Sequence, residues 1–198
     1  IFINQKVKEY SFDEWTKDLS QSNEVAQYPI IGTDHNNPLW TSCNNAVMLI
    51  KTLGMLGGIT YTGDYPVRPT DDAISGKAIL MESVFTTGGA IFGTPVPKVT
   101  AATVFTGTFN AMAAVTEGDA MLSTKFGVMF SDKPLEVKGS FKYTAGTPFY
   151  NKEGVEIDKK DECALSAVLY EVEDEKEMIE DVETLAEGMR LLQYDYIG

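Results

Sequence analysis

The stretch KFGVMFSDKPLEVKGSFKYTAGTPFY, residues 125–150, decides how the chain is read. It holds two short apolar runs separated by Ser131, Asp132, Lys133 and Pro134, a turn in which proline suits the bend and would not suit a central strand. Beyond the turn, Leu135, Val137, Gly139, Phe141 and Tyr143 share one face of an extended segment. Glu136, Lys138, Ser140 and Lys142 share the other, so the period of two predicts a strand with a dry face and a wet face. Gly146 and Pro148 stop it. A strand of that kind belongs to an antiparallel sheet.

Outward from this stretch, strand-like runs recur roughly every 15–30 residues with turn chemistry between them, an all-β pattern. Residues 1–10 alternate weakly and are expected to form a first strand. Ser11 to Trp15 reads as a turn or helical cap that tucks Phe12 and Trp15 into the core. Residues 20–46 are crowded with Ser, Asn, Asp, Gly and Pro and read as loop. Residues 44–58 run apolar with Gly54, Gly57 and Gly58, and are expected to be irregular with a strand near residues 46–49. A strand follows Gly76 over KAILMESVFTT, and another covers VTAATVFTGTFN, residues 99–110. CALSAVLYEV, residues 163–172, is apolar on both faces and reads as a buried strand. Met178, Val182, Leu185, Met189 and Leu192 then alternate spacings of four and three among acidic residues, predicting an amphipathic helix. The division expected is a sandwich domain over 1–172 and an acidic, helical tail over 173–198.

At 198 residues the chain is long enough to bury a sizeable core. A formal net charge of −13 argues against nucleic acid, which requires clustered Lys and Arg. No run of about 18 apolar residues is present, so no membrane-spanning helix is expected. The first residue is Ile1 rather than Met, which reads as a processed or excerpted chain. Cys43 and Cys163 form either one disulfide, as suits an exported protein, or two buried free thiols.

Several of these segments together resemble one family. Gly127, Phe130, Pro134, Gly139, Phe141, Lys142, Tyr143 and Gly146 match a pattern of the putative carbohydrate metabolism domain (PCMD), a family of surface-associated proteins of gut Bacteroidetes. Phe12, Trp15, Trp40 and the Phe105-Thr106-Gly107-x-Phe109 run resemble further elements of it, and the resemblance covers roughly residues 8–172. It implies a jelly-roll-like antiparallel β-sandwich. It also implies export to a cell surface or the periplasm, with a lipid anchor as one means of attachment. The tail is where the chain departs from the family's pattern, and a sandwich lacking its last strands would leave an open edge for strand-sharing with a protein partner.

Candidates for chemistry are few. His35 is the sole histidine and lies in a polar loop. No phosphate-cradling glycine loop or dinucleotide fingerprint appears, and no cofactor is implied. Glu82, midway along an apolar strand, is the candidate catalytic acid: burial would raise its proton affinity as glycoside hydrolysis needs. The alternatives are that it points to solvent on a one-sided sheet, or pairs with a lysine on the next strand. Glu153, Glu156, Asp158, Asp161 and Glu162 supply oxygen ligands suited to a structural calcium, although their spacing matches no EF-hand loop and a solvated charged hairpin also accounts for them.

Sugar recognition requires aromatic faces for C–H stacking, with amides and charged groups for hydroxyls. Trp40, Asn44, Tyr61, Tyr65, Arg68 and Tyr150 supply those types in or beside loops, and are the candidate ligand-binding residues. Trp40 serves equally as a core plug. Three functions follow: a non-catalytic carbohydrate-binding surface module, a glycoside hydrolase of glucanase-like sandwich type, and a structural or adhesion subunit of a surface assembly. The partner expected under the first is a glycan or oligosaccharide.

Overall fold

A computed structural model of the chain describes residues 7–20, 22–34, 36–117, 124–132, 134–151 and 154–169. His35, Glu153 and the expected tail helix lie outside these.

The described residues build an antiparallel β architecture with one principal helix. In chain order the elements are β1 (Trp15–Lys17), β2 (Pro29–Ile31), β3 (Trp40–Ser42), α1 (Asn44–Leu53), β4 (Val67–Thr70), β5 (Ala78–Met81), β6 (Val84–Phe85), β7 (Gly89–Ile91), β8 (Thr94–Val96), β9 (Val99–Thr100), β10 (Val104–Phe109), α2 (Ala111–Glu117), β11 (Thr124–Phe126), β12 (Phe149–Tyr150) and β13 (Glu156–Ile157). Every pairing among them is antiparallel. β11, β10 and β3 form a three-stranded sheet, and the remaining strands pair two by two. The antiparallel class read from residue patterning therefore holds, and α1 is added to it. The jelly-roll path remains what the resemblance implies.

The centre of the sheet shows why this sequence pairs as it does. Phe105 faces Thr41 on one side, while Gly107 faces Phe126 on the other. Gly107 has a φ of +128°, and a Cβ there would lie 2.0 Å from the Lys125 carbonyl oxygen. Only glycine lets the two strands approach at that point. The Thr41 hydroxyl donates to the Gly107 carbonyl, closing the register across β3 and β10.

Two apolar groups fill the interior. Ile31, Cys43 and Val67 are buried together, with Phe12, Trp15, Trp40, Ile79 and Val104 packed around them. Ile50, Ile59 and Ile91 form the second, lined by Leu53, Tyr61, Val96 and Val115. Fully buried side chains of this size each contribute about 2 kcal/mol relative to exposure. Phe12 and Trp15 thus enter the core as expected. They do so through a turn rather than a helical cap: Ser11 Oγ accepts from the Asp13 amide at 3.1 Å, and the Trp15 indole donates to the Phe12 carbonyl at 2.8 Å.

Five local expectations are corrected. Of the strand expected over residues 1–10, residues 1–6 lie outside the described residues and residues 7–10 form no strand; among the described residues the first strand is β1, where Trp15 faces Ile31. The strand expected from Gly76 onward breaks between β5 and β6 at Glu82 and Ser83, both exposed. The strand expected over 99–110 likewise divides into β9 and β10. Residues 44–58 are helical, not irregular or extended: Asn44, Val47, Ile50 and Gly54 recur at spacings of three and four and all are buried. Gly57 does not break the helix. It lies in the single tight turn that continues it, and a Cβ there would sit 1.9 Å from the Ala90 carbonyl oxygen of β7.

The fifth correction concerns the stretch quoted first. β11 is its one early strand, and residues 135–143 lie outside any strand, as do residues 163–169. Leu135 is 80% exposed, Val137 71% and Phe141 61%. Alternation makes a segment able to be a strand; a neighbour must supply the hydrogen bonds.

Candidate functional site

The candidate site grows from α1 and the connector that follows it. Lys51 lies one turn beyond the buried Val47 on α1 and is itself half-buried. Its ammonium donates to the Gly63 carbonyl and lies 5.2 Å from the ring centres of both Tyr61 and Tyr65. A cation between two aromatic faces attracts both through their quadrupoles. The tyrosine hydroxyls are fixed as well. Tyr61 donates to the Asp64 carbonyl at 2.7 Å, and Tyr65 donates to the Val25 carbonyl at 2.6 Å. Both rings remain part-exposed, so they are held as platforms.

β4 and β5 supply the polar flank. Arg68 faces Leu80 across the ladder, and the Glu82 amide continues it to the Pro66 carbonyl at 2.9 Å. The Arg68 guanidinium forms an ion pair with Glu82 and also donates to the Tyr65 carbonyl at 3.1 Å. Glu82 is thus exposed and paired across the ladder, but with an arginine of the preceding strand rather than a lysine of the next. Its side chain is 61% exposed, so the burial required of a general acid is missing.

Tyr28 extends the group. Its ring centre lies 6.1 Å from that of Tyr65, and its hydroxyl accepts from the Asn45 amide at 2.9 Å. Burial, more than the Asn45 hydrogen bond offsets, raises the Tyr28 phenol above its ordinary pKa. Burial raises Tyr61 as well, followed by the charge of Asp64. The Tyr65 phenol is pushed up to about 12, first by burial and then by Tyr28 and Asp18. All three phenols stay neutral donors through the physiological range.

Tyr28 also lines a neighbouring cavity of about 190 Å³, whose wall includes Asn36, Asn37, Trp40, Asn45 and Thr108. Trp40 packs on the core, with its ring 5.5 Å from that of Phe12, and it also borders this cavity. Aromatic and amide groups thus run from Trp40 through Tyr28 to Tyr65.

Asn44 is a correction. It is fully buried and spent on the backbone. Its amide nitrogen donates to the Pro29 carbonyl at 2.9 Å and the Val67 carbonyl at 2.7 Å, and its oxygen accepts from the Val67 amide at 3.0 Å. It ties α1 to β2 and β4 and presents nothing to a ligand. Tyr150 is not brought into the tyrosine group; its ring meets that of Phe85 at 5.3 Å. A wider depression of about 640 Å³ lies along β12 and β13, where the Lys159 ammonium sits 5.1 Å from the Phe149 ring centre. It is larger than the Trp40 cavity and is lined by a single aromatic ring, Phe149.

Lys51 and Tyr28 were missed from the sequence. Lys51 became legible only once 44–53 is taken as a helix, because position 51 then falls in the last turn of α1, from which its long side chain reaches Gly63 and the two tyrosine rings. Cys43 is buried and Cys163 exposed, and both are free thiols. Burial raises the Cys43 thiol, with the Thr103 hydrogen bond opposing. Among the described residues no group of three or more His, Cys, Asp or Glu stands close enough to hold a metal ion. Among them, too, no helix is long and apolar enough to cross a membrane.

The family described as Putative carbohydrate metabolism domain (PCMD) matches residues 11–193. The match continues past residue 172, where the resemblance read from motifs stops. No curated protein and no solved structure matches the chain.

Proposed function

The chain belongs to the putative carbohydrate metabolism domain family, and from that membership we propose that it is a non-catalytic carbohydrate-binding module. The observation that carries this is the surface at Tyr61 and Tyr65: two part-exposed rings fixed through their hydroxyls and flanked by Lys51 and the Arg68–Glu82 pair. Sugar rings offer apolar C–H faces with hydroxyls at their edges. Rigid aromatic platforms beside charged hydrogen-bonding groups suit both. Fixing the rings before binding lowers the ordering cost that a flexible site would incur. The Trp40 cavity, with Asn36 and Asn37 at its wall, lies next along the surface through Tyr28. At about 190 Å³ it is smaller than the ~300–1,000 Å³ of pockets that enclose a small ligand. A polymer lying across the surface, with part of one residue in the cavity, fits these dimensions better than an engulfed monosaccharide. Polymeric glycans are met outside cells, so location at a cell surface or in the periplasm belongs to the same proposal.

The test is a glycan array probed with the whole chain, with Tyr61→Ala and with Tyr65→Ala, and a reducing-sugar assay on each glycan retained. The expected result is binding without sugar release, weakened about tenfold in each variant, as loss of ~1.4 kcal/mol would give. Unchanged binding in both variants would overturn the site. Release of sugar would overturn the non-catalytic assignment.

A further inference from the structure

Among the described residues, 135–143, LEVKGSFKY, carry the largest run of exposed apolar side chains outside any strand. Leu135, Val137, Phe141 and Tyr143 are all exposed, and a Cβ at Gly139 would meet nothing within 4 Å. Their charged neighbours have only surface partners: Glu136 with Lys138 at 2.9 Å, and Lys142 with Asp72. Such a segment is competent to add to a sheet, and its order of residues states what it would add to.

We propose that residues 135–143 are a self-complementary strand through which two copies of this chain pair antiparallel about a two-fold axis at Gly139. In that register Leu135 faces Tyr143 and Val137 faces Phe141, the aliphatic–aromatic pairings that stabilise antiparallel ladders. Glu136 faces Lys142, Lys138 faces Ser140, and Gly139 faces its own copy. The two-fold axis makes each of these contacts twice, except that of Gly139, which lies on the axis. The charges select this arrangement. Parallel pairing in register would set Glu136 on Glu136 and Lys142 on Lys142. Sliding the antiparallel pair by two residues in one direction sets Lys138 opposite Lys142, and in the other direction sets Lys138 opposite itself. A slide of one residue places Lys138 against Phe141 and mixes the dry and wet faces. Every alternative costs like-charge repulsion or a misplaced apolar face. Exposed ion pairs of this kind fix orientation more than they add affinity. A single pair of strands covers little surface, so the dimer is a weak one that forms with concentration. This inference does not rest on the glycan proposal.

The experiment is sedimentation velocity of the whole chain from micromolar to millimolar concentration. It includes E136K, K142E, their equimolar mixture and the double variant E136K/K142E, each checked for unchanged circular dichroism. The wild-type chain is expected to pass from monomer to dimer. Each single variant sets four like charges along the strand pair and should weaken dimerisation tenfold or more. The mixture should recover dimers, because one copy then presents two lysines and the other two glutamates. The double variant keeps the net charge and should recover as well. Asp72→Ala removes the intrachain partner of Lys142 and should leave dimerisation intact or strengthen it. A wild-type chain that stays monomeric throughout would overturn the proposal. Dimers indifferent to both single swaps, or single swaps that fail to complement in the mixture, would overturn it too.

Discussion

Asn44→Ala should be the most destabilising small change in this domain. The side chain is fully buried and bonds the Val67 amide, the Val67 carbonyl and the Pro29 carbonyl. Truncation to alanine leaves the amide donor without that partner, at about 2 kcal/mol, and removes one donor from each carbonyl, at about 0.5–1 kcal/mol apiece. The sum is about 3–4 kcal/mol, a large share of the 5–15 kcal/mol that holds a typical domain together. Urea unfolding followed by tryptophan fluorescence suits the question, because Trp15 and Trp40 both pack against the group that contains Val67. The midpoint should fall by about 1–2 M. Asn44→Asp sharpens the test. It keeps an oxygen for the Val67 amide but sets a carboxylate against two carbonyls in a dry site. At neutral pH its loss should exceed that of alanine. Burial there raises the introduced carboxyl's folded pKa above its unfolded value near 3.9. The missing stability should therefore return as pH falls through the folded value toward about 4. A loss below about 1 kcal/mol for Asn44→Ala, or an Asn44→Asp variant with no acid recovery, would refute the assignment of Asn44 as the buried tie.

Two further outcomes follow from burial. The Tyr65 phenol is raised from 10.0 to about 12. The folded state keeps a proton there that the unfolded chain releases, so this contribution is whole below pH 10 and is lost as pH rises toward 12. The ring is half-exposed, and solvent screening reduces the contribution to about 1 kcal/mol; comparing the alkaline unfolding of Tyr65→Phe with wild type measures it. The thiols should separate by reactivity: under native conditions at neutral pH one equivalent of a thiol reagent labels exposed Cys163, and buried Cys43 reacts only on unfolding, as mass spectrometry of the labelled peptides would report.

What could be read from residue order divides along physical lines. The antiparallel class was legible because alternation and turn residues report a strand's two faces and its ends without reference to a partner. The pairing of Glu82 was legible as an alternative, since a charge on an exposed ladder most simply meets an opposite charge across it. The core packing of Trp40 was legible because a large ring beside apolar runs is most simply buried against them. The helix over Asn44–Leu53 was not, because Gly54, Gly57 and Gly58 resemble breakers. Their local meaning depends on β7 lying against Gly57, which no local pattern records. Asn44 was misassigned for a related reason. An asparagine beside a tryptophan has the composition of a ligand site, and only the positions of Pro29 and Val67, distant in sequence, show that its bonds are already used. The strand expected over 135–143 failed differently, because alternation describes a capacity that the chain's own described strands do not take up.

The tie at Asn44 and the surface at Tyr61 and Tyr65 are parts of one arrangement. Asn44 opens α1 and binds the backbone of Val67, the first residue of β4. α1 carries Lys51 and β4 carries Arg68, so the buried amide sets the two cationic flanks against each other across the tyrosines. Tyr65 then closes the frame by donating to Val25, next to the Tyr28 that both stacks on it and borders the Trp40 cavity. The proposed ligand surface is held by the buried bonds of Asn44 together with the bonds of Lys51 and Tyr61 to the loop carbonyls of Gly63 and Asp64. Substitutions within it can therefore remove affinity without unfolding the domain, whereas loss of the tie should disperse the surface as a whole. The two kinds of variant should separate in one experiment. Tyr61→Ala, whose ring only borders the Ile50 group, should lose binding at a smaller stability cost than Asn44→Ala, which should lose both together.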